Sequence, residues 1–120
     1  MNLYESSEDY LETILILTNK QGKVRSIDVV EYLNFSKPSV SIAMKKLREN
    51  GYINFDKKGY ITLSEEGLKV ASKTYEKHLL LTDLFVSLGV SKEIAEKDAC
   101  RVEHTLSEET FEAIKKSFKK

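Results

Sequence analysis

The chain contains a single proline, Pro38, and its setting constrains the fold more than any other feature. The polar connector Asn34-Phe35-Ser36-Lys37 leads into it, and proline is well placed as the first residue of a helix. That helix is predicted to run to about Asn50, where Gly51 stops it. A short helix from about Ser26 to Leu33 is predicted just upstream, so the pattern is helix, short turn, helix, that of a helix-turn-helix.

After Gly51 the hydrophobic period changes from helical to alternating. Tyr52-Ile53-Asn54-Phe55 and Tyr60-Ile61-Thr62-Leu63 flank Asp56-Lys57-Lys58-Gly59, a tight hairpin with two lysines at its tip. This reads as a wing. Around this module helical patterns return. Ser6-Ser7-Glu8-Asp9 offers a cap and acidic first turn to a helix through about Lys20, closed by Gln21-Gly22. Ser64-Glu65-Glu66-Gly67 caps a long helix to about Leu88, Ser91 caps another, and a last helix spans about Ser107 to Lys119. The predicted class is mainly α with a small β-hairpin. A winged helix-turn-helix over residues 1–63 is followed by an α-helical domain over 64–120.

Charge is unevenly spread although the total is zero. From Asn34 to Lys58 there are six basic residues against Glu49 and Asp56, a local charge of +4, so the remainder carries −4. A basic segment beside an acidic remainder points to a polyanion contact and a separate cation site. Ser36, Lys37, Pro38, Ser39, Ser41 and Ile42, near the start of the second helix, are placed to meet base edges and phosphates of duplex DNA. Lys45, Lys46, Arg48, Lys57 and Lys58 read as phosphate contacts, which position without specifying sequence. Their plainer reading is a solvated face.

The cation site has its own pattern. On a helix over residues 92–106, Ile94, Ala95, Ala99, Val102 and Leu106 form an apolar stripe, and Lys97, Asp98, Arg101 and Thr105 a solvent side. Glu96, Cys100, Glu103 and His104 lie between them. Asp9 and Glu12 share a helix face at i, i+3, as Cys100, Glu103 and His104 do at i, i+3, i+4. Singly, these residues have ordinary roles: acids at a helix start, a packed His78, a small buried thiol. Together Asp9, Glu12, His78, Cys100, Glu103 and His104 make six candidate ligands for a divalent metal.

Several classes are disfavoured. No apolar run approaches the roughly 20 residues a membrane helix needs, and the start has neither a basic nor an apolar signal region. One cysteine cannot form an internal disulfide, and a free thiol fits a reducing cytoplasm. A metalloenzyme is conceivable because such ligands can activate water. Against it stand the lack of a His-Glu-x-x-His helix, a Gly-rich phosphate loop or a nucleophile–base motif, and no small organic substrate is expected. A winged-helix module that binds another protein is the other alternative. Phe85, Leu88, Ile94, Phe111, Ile114 and Phe118 are more apolar surface than three short helices need, which points to a partner face, the plainer alternative being core alone.

At these residues the chain resembles a known family. Ser7-Glu8-Asp9-Tyr10-Leu11-Glu12, Lys37-Pro38-Ser39-Val40-Ser41, Tyr75-Glu76-Lys77-His78 and Asp98-Ala99-Cys100-Arg101-Val102-Glu103-His104-Thr105-Leu106-Ser107 look like the diphtheria toxin repressor family, in matching order over nearly the whole chain. The resemblance implies a homodimeric repressor that binds an operator when loaded with Fe²⁺ or Mn²⁺. It also implies a functional metal site made of Asp9, Glu12, His78, Cys100, Glu103 and His104. Glu96 stands where iron-sensing relatives carry an ancillary-site histidine, and Thr82, followed by Asp83, where relatives carry a glutamate. Iron sensors typically pair Cys at the position of Cys100 with Met at that of Asp9, whereas manganese sensors pair Glu with Asp. This chain mixes the two. The thiolate shifts preference toward Fe²⁺, Co²⁺ or Zn²⁺, and the carboxylates suit Mn²⁺ and Fe²⁺. The length resembles the two-domain manganese-type regulators, without the SH3-like domain of larger iron repressors.

Overall fold

The computed structural model describes residues 5–118, with the side chains of Glu5 and Ser6 outside the description. Its elements in chain order are α1 (Glu5–Gln21), α2 (Ser26–Leu33), α3 (Lys37–Glu49), β1 (Ile53–Phe55), β2 (Ile61–Leu63), α4 (Glu65–Ser87), α5 (Lys92–Val102) and α6 (Glu108–Phe118). The chain divides into two compact units, residues 1–72 and 73–120, and the division falls within α4.

In the first unit, Tyr10, Leu11, Ile14 and Leu17 of α1 meet Val29 of α2 and Val40, Met44 and Leu47 of α3 in one core. Each such large aliphatic side chain contributes about 1.5–3 kcal/mol by leaving water. α1 is already helical at Glu5, so Ser6 and Ser7 lie inside its first turn and not at the cap position expected for them.

Local chemistry sets the turn between α2 and α3. Asn34 closes α2 in the left-handed conformation (φ 57°), which its short polar side chain tolerates. Two residues later the Ser36 hydroxyl accepts the Ser39 N–H at 3.2 Å. This cap starts α3 at Lys37, so Pro38 is the second helical residue and not the first. At the other end Gly51 (φ 81°) lets Tyr52 donate back to the Leu47 carbonyl at 2.9 Å.

The wing is antiparallel, with Ile53 opposite Leu63, Asn54 opposite Thr62 and Phe55 opposite Ile61. Asp56 shapes its turn: Oδ1 accepts the N–H groups of Lys58 (2.8 Å) and Tyr60 (2.9 Å). β2 has a second neighbour, because Ile61 N–H donates to the Val24 carbonyl at 2.7 Å and the two residues form an isolated bridge. α4 begins directly after β2, where the Ser64 hydroxyl accepts the Gly67 N–H at 3.1 Å and donates to the Gly51 carbonyl at 2.6 Å.

In the second unit, Leu80 and Leu81 of α4, Ala95 and Ala99 of α5 and Phe111 of α6 are buried. Phe111 is 0% exposed and is therefore core, which removes it from the face expected to meet a partner. Leu88 (72% exposed) and Ile94 (54%) remain outside, so Ile94 does not join Ala95 and Ala99 in a buried stripe. α5 is also shorter than the expected 92–106. Its last helical residue is Val102, Glu103 is the C-cap in right-handed geometry with its N–H on the Ala99 carbonyl (2.9 Å), and the chain turns at His104 and Thr105. The Ser107 hydroxyl then accepts the Thr110 N–H at 3.1 Å and starts α6.

Ion pairs tie α6 to α4. Glu108 meets Lys73 and, at 3.8 Å, Lys77, while Lys115 reaches Glu76 at 3.2 Å. The Lys77 and Lys115 ammonium groups also lie 5.6 and 5.9 Å from the Phe111 ring centre. Among the described residues no helix is long and apolar enough to cross a membrane.

Candidate metal centre and nucleic-acid interface

The second unit gathers two imidazoles and a thiol around one carboxylate. Glu103, at the C-terminal end of α5, has a fully buried side chain. Its Oε2 lies 3.0 Å from Nδ1 of His78 on α4, and its Oε1 lies 3.4 Å from Nε2 of His104. The His104 side chain is nearly buried and that of His78 about a fifth exposed. One ligand atom each of Cys100, Glu103 and His104 falls within 4.8 Å of the others. The helical rise explains this: Cys100 and Glu103 are one turn apart on α5, and the right-handed geometry at Glu103 keeps the spacing past the last helical residue. On α4 the Thr82 hydroxyl donates to the His78 carbonyl at 2.7 Å. A thiol, a carboxylate and two imidazoles packed together in a mostly buried place form a donor set suited to a divalent transition metal, and the residues present fit such an ion.

Asp9 and Glu12 belong to the first unit, one turn apart on α1, Asp9 partly buried and Glu12 buried. Burial raises the pKa of the Tyr10 phenol above its ordinary value, and the neighbouring Asp9 charge adds to the effect. Glu96 lies on α5 and is exposed, one turn before Cys100.

The sequence-predicted DNA contacts occupy one side of α3 and the wing. Val40, Met44 and Leu47 face the core, while Ser36, Lys37, Pro38, Ser39, Ser41, Ile42, Lys45, Lys46 and Arg48 are exposed, as are Lys57 and Lys58 at the hairpin tip. Ile42 is 59% exposed, an apolar side chain on an otherwise polar face. Such a group can meet a thymine methyl. The same face contains a depression of about 350 Å³ lined by Ser26, Ser41, Ile42, Met44, Lys45, Arg48 and Phe55. There the Arg48 guanidinium sits 5.6 Å from the Phe55 ring centre.

Sequence reasoning passed over Ser26 and Phe55, which reach this depression from α2 and β1. It also left residues 23–25 unassigned. The bridge of Val24 to Ile61 places Lys23 and Arg25 beside the wing, with the Lys23 ammonium 5.0 Å and the Arg25 guanidinium 4.4 Å from the Tyr60 ring centre. The signal was faint: one alternation of basic, apolar and basic residues is too short to read as a strand.

Comparison with known proteins agrees across both units. A family model described as iron dependent repressor, N-terminal DNA binding domain, matches residues 2–61. One described as iron dependent repressor, metal binding and dimerisation domain, matches residues 64–120. An uncharacterised HTH-type transcriptional regulator of Methanocaldococcus jannaschii is 34% identical over 113 residues, covering 92% of this chain and 90% of the relative. The transcriptional regulator MntR of Escherichia coli O157:H7 is 36% identical over 111 residues, covering 92% and 72%. The solved structure of the manganese regulator SloR superposes with a TM-score of 0.82 at 30% identity, over 94% of this chain and 53% of that one. The chain thus spans about half the length of that structure.

Proposed function

The chain belongs to the iron-dependent repressor family, and we propose that it is a cytoplasmic, metal-dependent transcriptional regulator that represses metal-uptake genes when loaded with Fe²⁺ or Mn²⁺. The observation that carries this reading is the buried Glu103 carboxylate between two imidazoles, in a chain whose other unit exposes a basic helix-turn-helix face. Residues 1–63 serve as the DNA-binding domain and residues 64–120 as the metal-binding and dimerisation domain. The ligands are Asp9, Glu12, His78, Cys100, Glu103 and His104, with Glu96 available to an ancillary ion. Thiolate and imidazole ligands leave Co²⁺ and Zn²⁺ as competing ions.

The divalent cation supplies positive charge against the clustered carboxylates and thiolate. Asp9 and Glu12 belong to the DNA-binding domain and the other four ligands to the helical domain, so their common use couples the two. With the charges uncompensated, Asp9, Glu12 and Glu103 repel one another and disfavour the coupled arrangement. An equilibrium between DNA-competent and incompetent states then shifts by differential affinity alone. In the competent state a homodimer presents two α3 helices at the spacing its operator half-sites require. Leu79, Val86, Leu88 and Ile94, all exposed in the second unit, are among the apolar groups available to the second copy.

The test is an anaerobic fluorescence-anisotropy titration with duplexes from upstream of this gene and of metal-uptake genes, with and without Fe²⁺, Mn²⁺, Co²⁺ and Zn²⁺. Tight binding only with metal is the expected result. Equal binding in chelator would sink the metal switch. No binding under any condition would turn the reading to a protein-interaction module.

A further inference from the structure

We propose that the outer face of the wing, built from Lys23, Arg25 and Tyr60, is a second backbone-binding surface for duplex DNA, beyond the contacts of α3 and the hairpin tip. The proposal rests on the DNA-binding reading above and adds residues to it.

The placement follows from the β-bridge. Side chains alternate across an extended strand, and Val24 and Ile61 both point into the core. Their sequence neighbours Lys23, Arg25 and Tyr60 therefore emerge on the opposite face of the same strip of sheet. There the two cations converge on one ring, at 5.0 and 4.4 Å. An aromatic face attracts cations without neutralising them, and a guanidinium lying over a ring keeps its N–H edge available to fork onto a phosphate.

Two carboxylates near this face accept backbone N–H groups. Asp28 Oδ2 accepts the backbone N–H of Arg25 at 2.8 Å, an N-terminal capping contact for α2. Asp56 Oδ1 holds the wing turn through two backbone N–H groups. Among the described residues, the charged groups of Lys23 and Arg25 lie against the Tyr60 ring and not in an ion pair, whereas Lys69, for example, pairs with Glu66.

Two cations held side by side, with Lys57 and Lys58 on the same hairpin, match a polyanion with regularly repeated charge better than a single small anion. Two residues of extended chain span roughly 7 Å, enough for Lys23 and Arg25 to reach separate phosphates. The face lies beside the wing and not on α3, the helix placed to enter the major groove, so its cations are proposed as phosphate contacts. Its contribution is therefore to affinity and its salt dependence, not to sequence choice.

The experiment measures binding of Mn²⁺-loaded protein to a preferred duplex and a scrambled one, both extended by flanking base pairs, across a salt series. The proteins are the wild type, K23Q/R25Q, the charge-preserving K23R/R25K, and K69Q as a control for net charge. Each lost phosphate contact lowers the slope of log affinity against log salt by about 0.9. K23Q/R25Q is therefore expected to lower the slope by roughly two and to weaken both duplexes by about tenfold at moderate salt, with their affinity ratio unchanged. K23R/R25K and K69Q keep the wild-type slope. Should K23Q/R25Q lose its helical circular dichroism, K23Q alone carries the test, with an expected slope change of about one. An unchanged slope, or a change that K69Q reproduces, overturns the proposal. If the wild type binds neither duplex, the regulator reading falls with it, whereas wild-type binding with an unaltered variant slope removes only the wing contact.

Discussion

Gly67 occupies a position where a side chain has no room. A Cβ built there would lie 2.0 Å from the Tyr52 carbonyl oxygen, a backbone atom fixed by the Ser64 N–H at 3.0 Å. Gly67→Ala must push the start of α4 away from the wing. The expected cost is about 3 kcal/mol, as overpacking against backbone typically demands, and the midpoint of urea unfolding would report it. A midpoint at the wild-type value would mean that this junction yields freely. Glu103 is the corresponding residue of the candidate metal centre. Its buried carboxylate touches both histidine rings, and Glu103→Gln keeps the shape while removing the charge. At a metal concentration of 100 times the dissociation constant, the wild type should gain about 2.7 kcal/mol of stability from the ion. The variant should gain nearly none. Equal gains in thermal scans with Mn²⁺ and Fe²⁺ would remove Glu103 from the ligand set.

At the scale of elements, α6 depends on charge as well as on Phe111. The hydrogen bond from Lys73 holds the Glu108 carboxyl below its ordinary pKa, with Lys73, Lys77 and Lys115 adding to the pull. The same hydrogen bond, with Glu108, Glu112 and Glu76 nearby, raises the Lys73 pKa. A lowered carboxyl contributes stability fully above its unfolded pKa and loses it as pH falls through the folded value. A raised lysine contributes fully below its unfolded pKa and loses it as pH climbs through the folded value. The pair therefore supports α6 across the neutral range and fades at both ends. Both groups are exposed, so salt screens the effect. Glu108→Gln should lower hydrogen-exchange protection of α6 slightly at neutral pH and low salt. The difference from wild type should vanish in acid below the folded Glu108 pKa and in high salt. A difference that persisted in acid would assign the effect to lost packing.

For the whole molecule, the consequence of exposed apolar groups is assembly. Leu88, at 72% exposure, and Ile94, at 54%, lie in the unit matched by the metal-binding and dimerisation model. Leu88→Glu would bury a charge in any interface that covers this position, a penalty of several kcal/mol per ion. Sedimentation of the wild type as a dimer and of Leu88→Glu as a monomer is expected, together with loss of tight operator binding. A dimeric variant would place the interface elsewhere.

What the sequence determined by itself is local in origin. Pro38, Ser64 and Ser91 signal helix starts, Gly51 marks a stop, and Asp56 to Gly59 marks the wing, because caps and turns are closed by groups three or four residues apart. The helical repeat likewise puts Cys100, Glu103 and His104 on one side. The tertiary structure decided everything that depends on contacts between distant segments. It took Phe111 into the core and left Ile94 outside, although both fit an apolar stripe, because burial depends on which helix packs against which. It ended α5 at Val102 yet carried Glu103 to His78, 25 residues away in sequence. It turned the unassigned Lys23-Val24-Arg25 into a strip of sheet through a hydrogen bond to Ile61. Such long-range pairings are chosen by the combined packing of the chain, and no window of neighbouring residues encodes them.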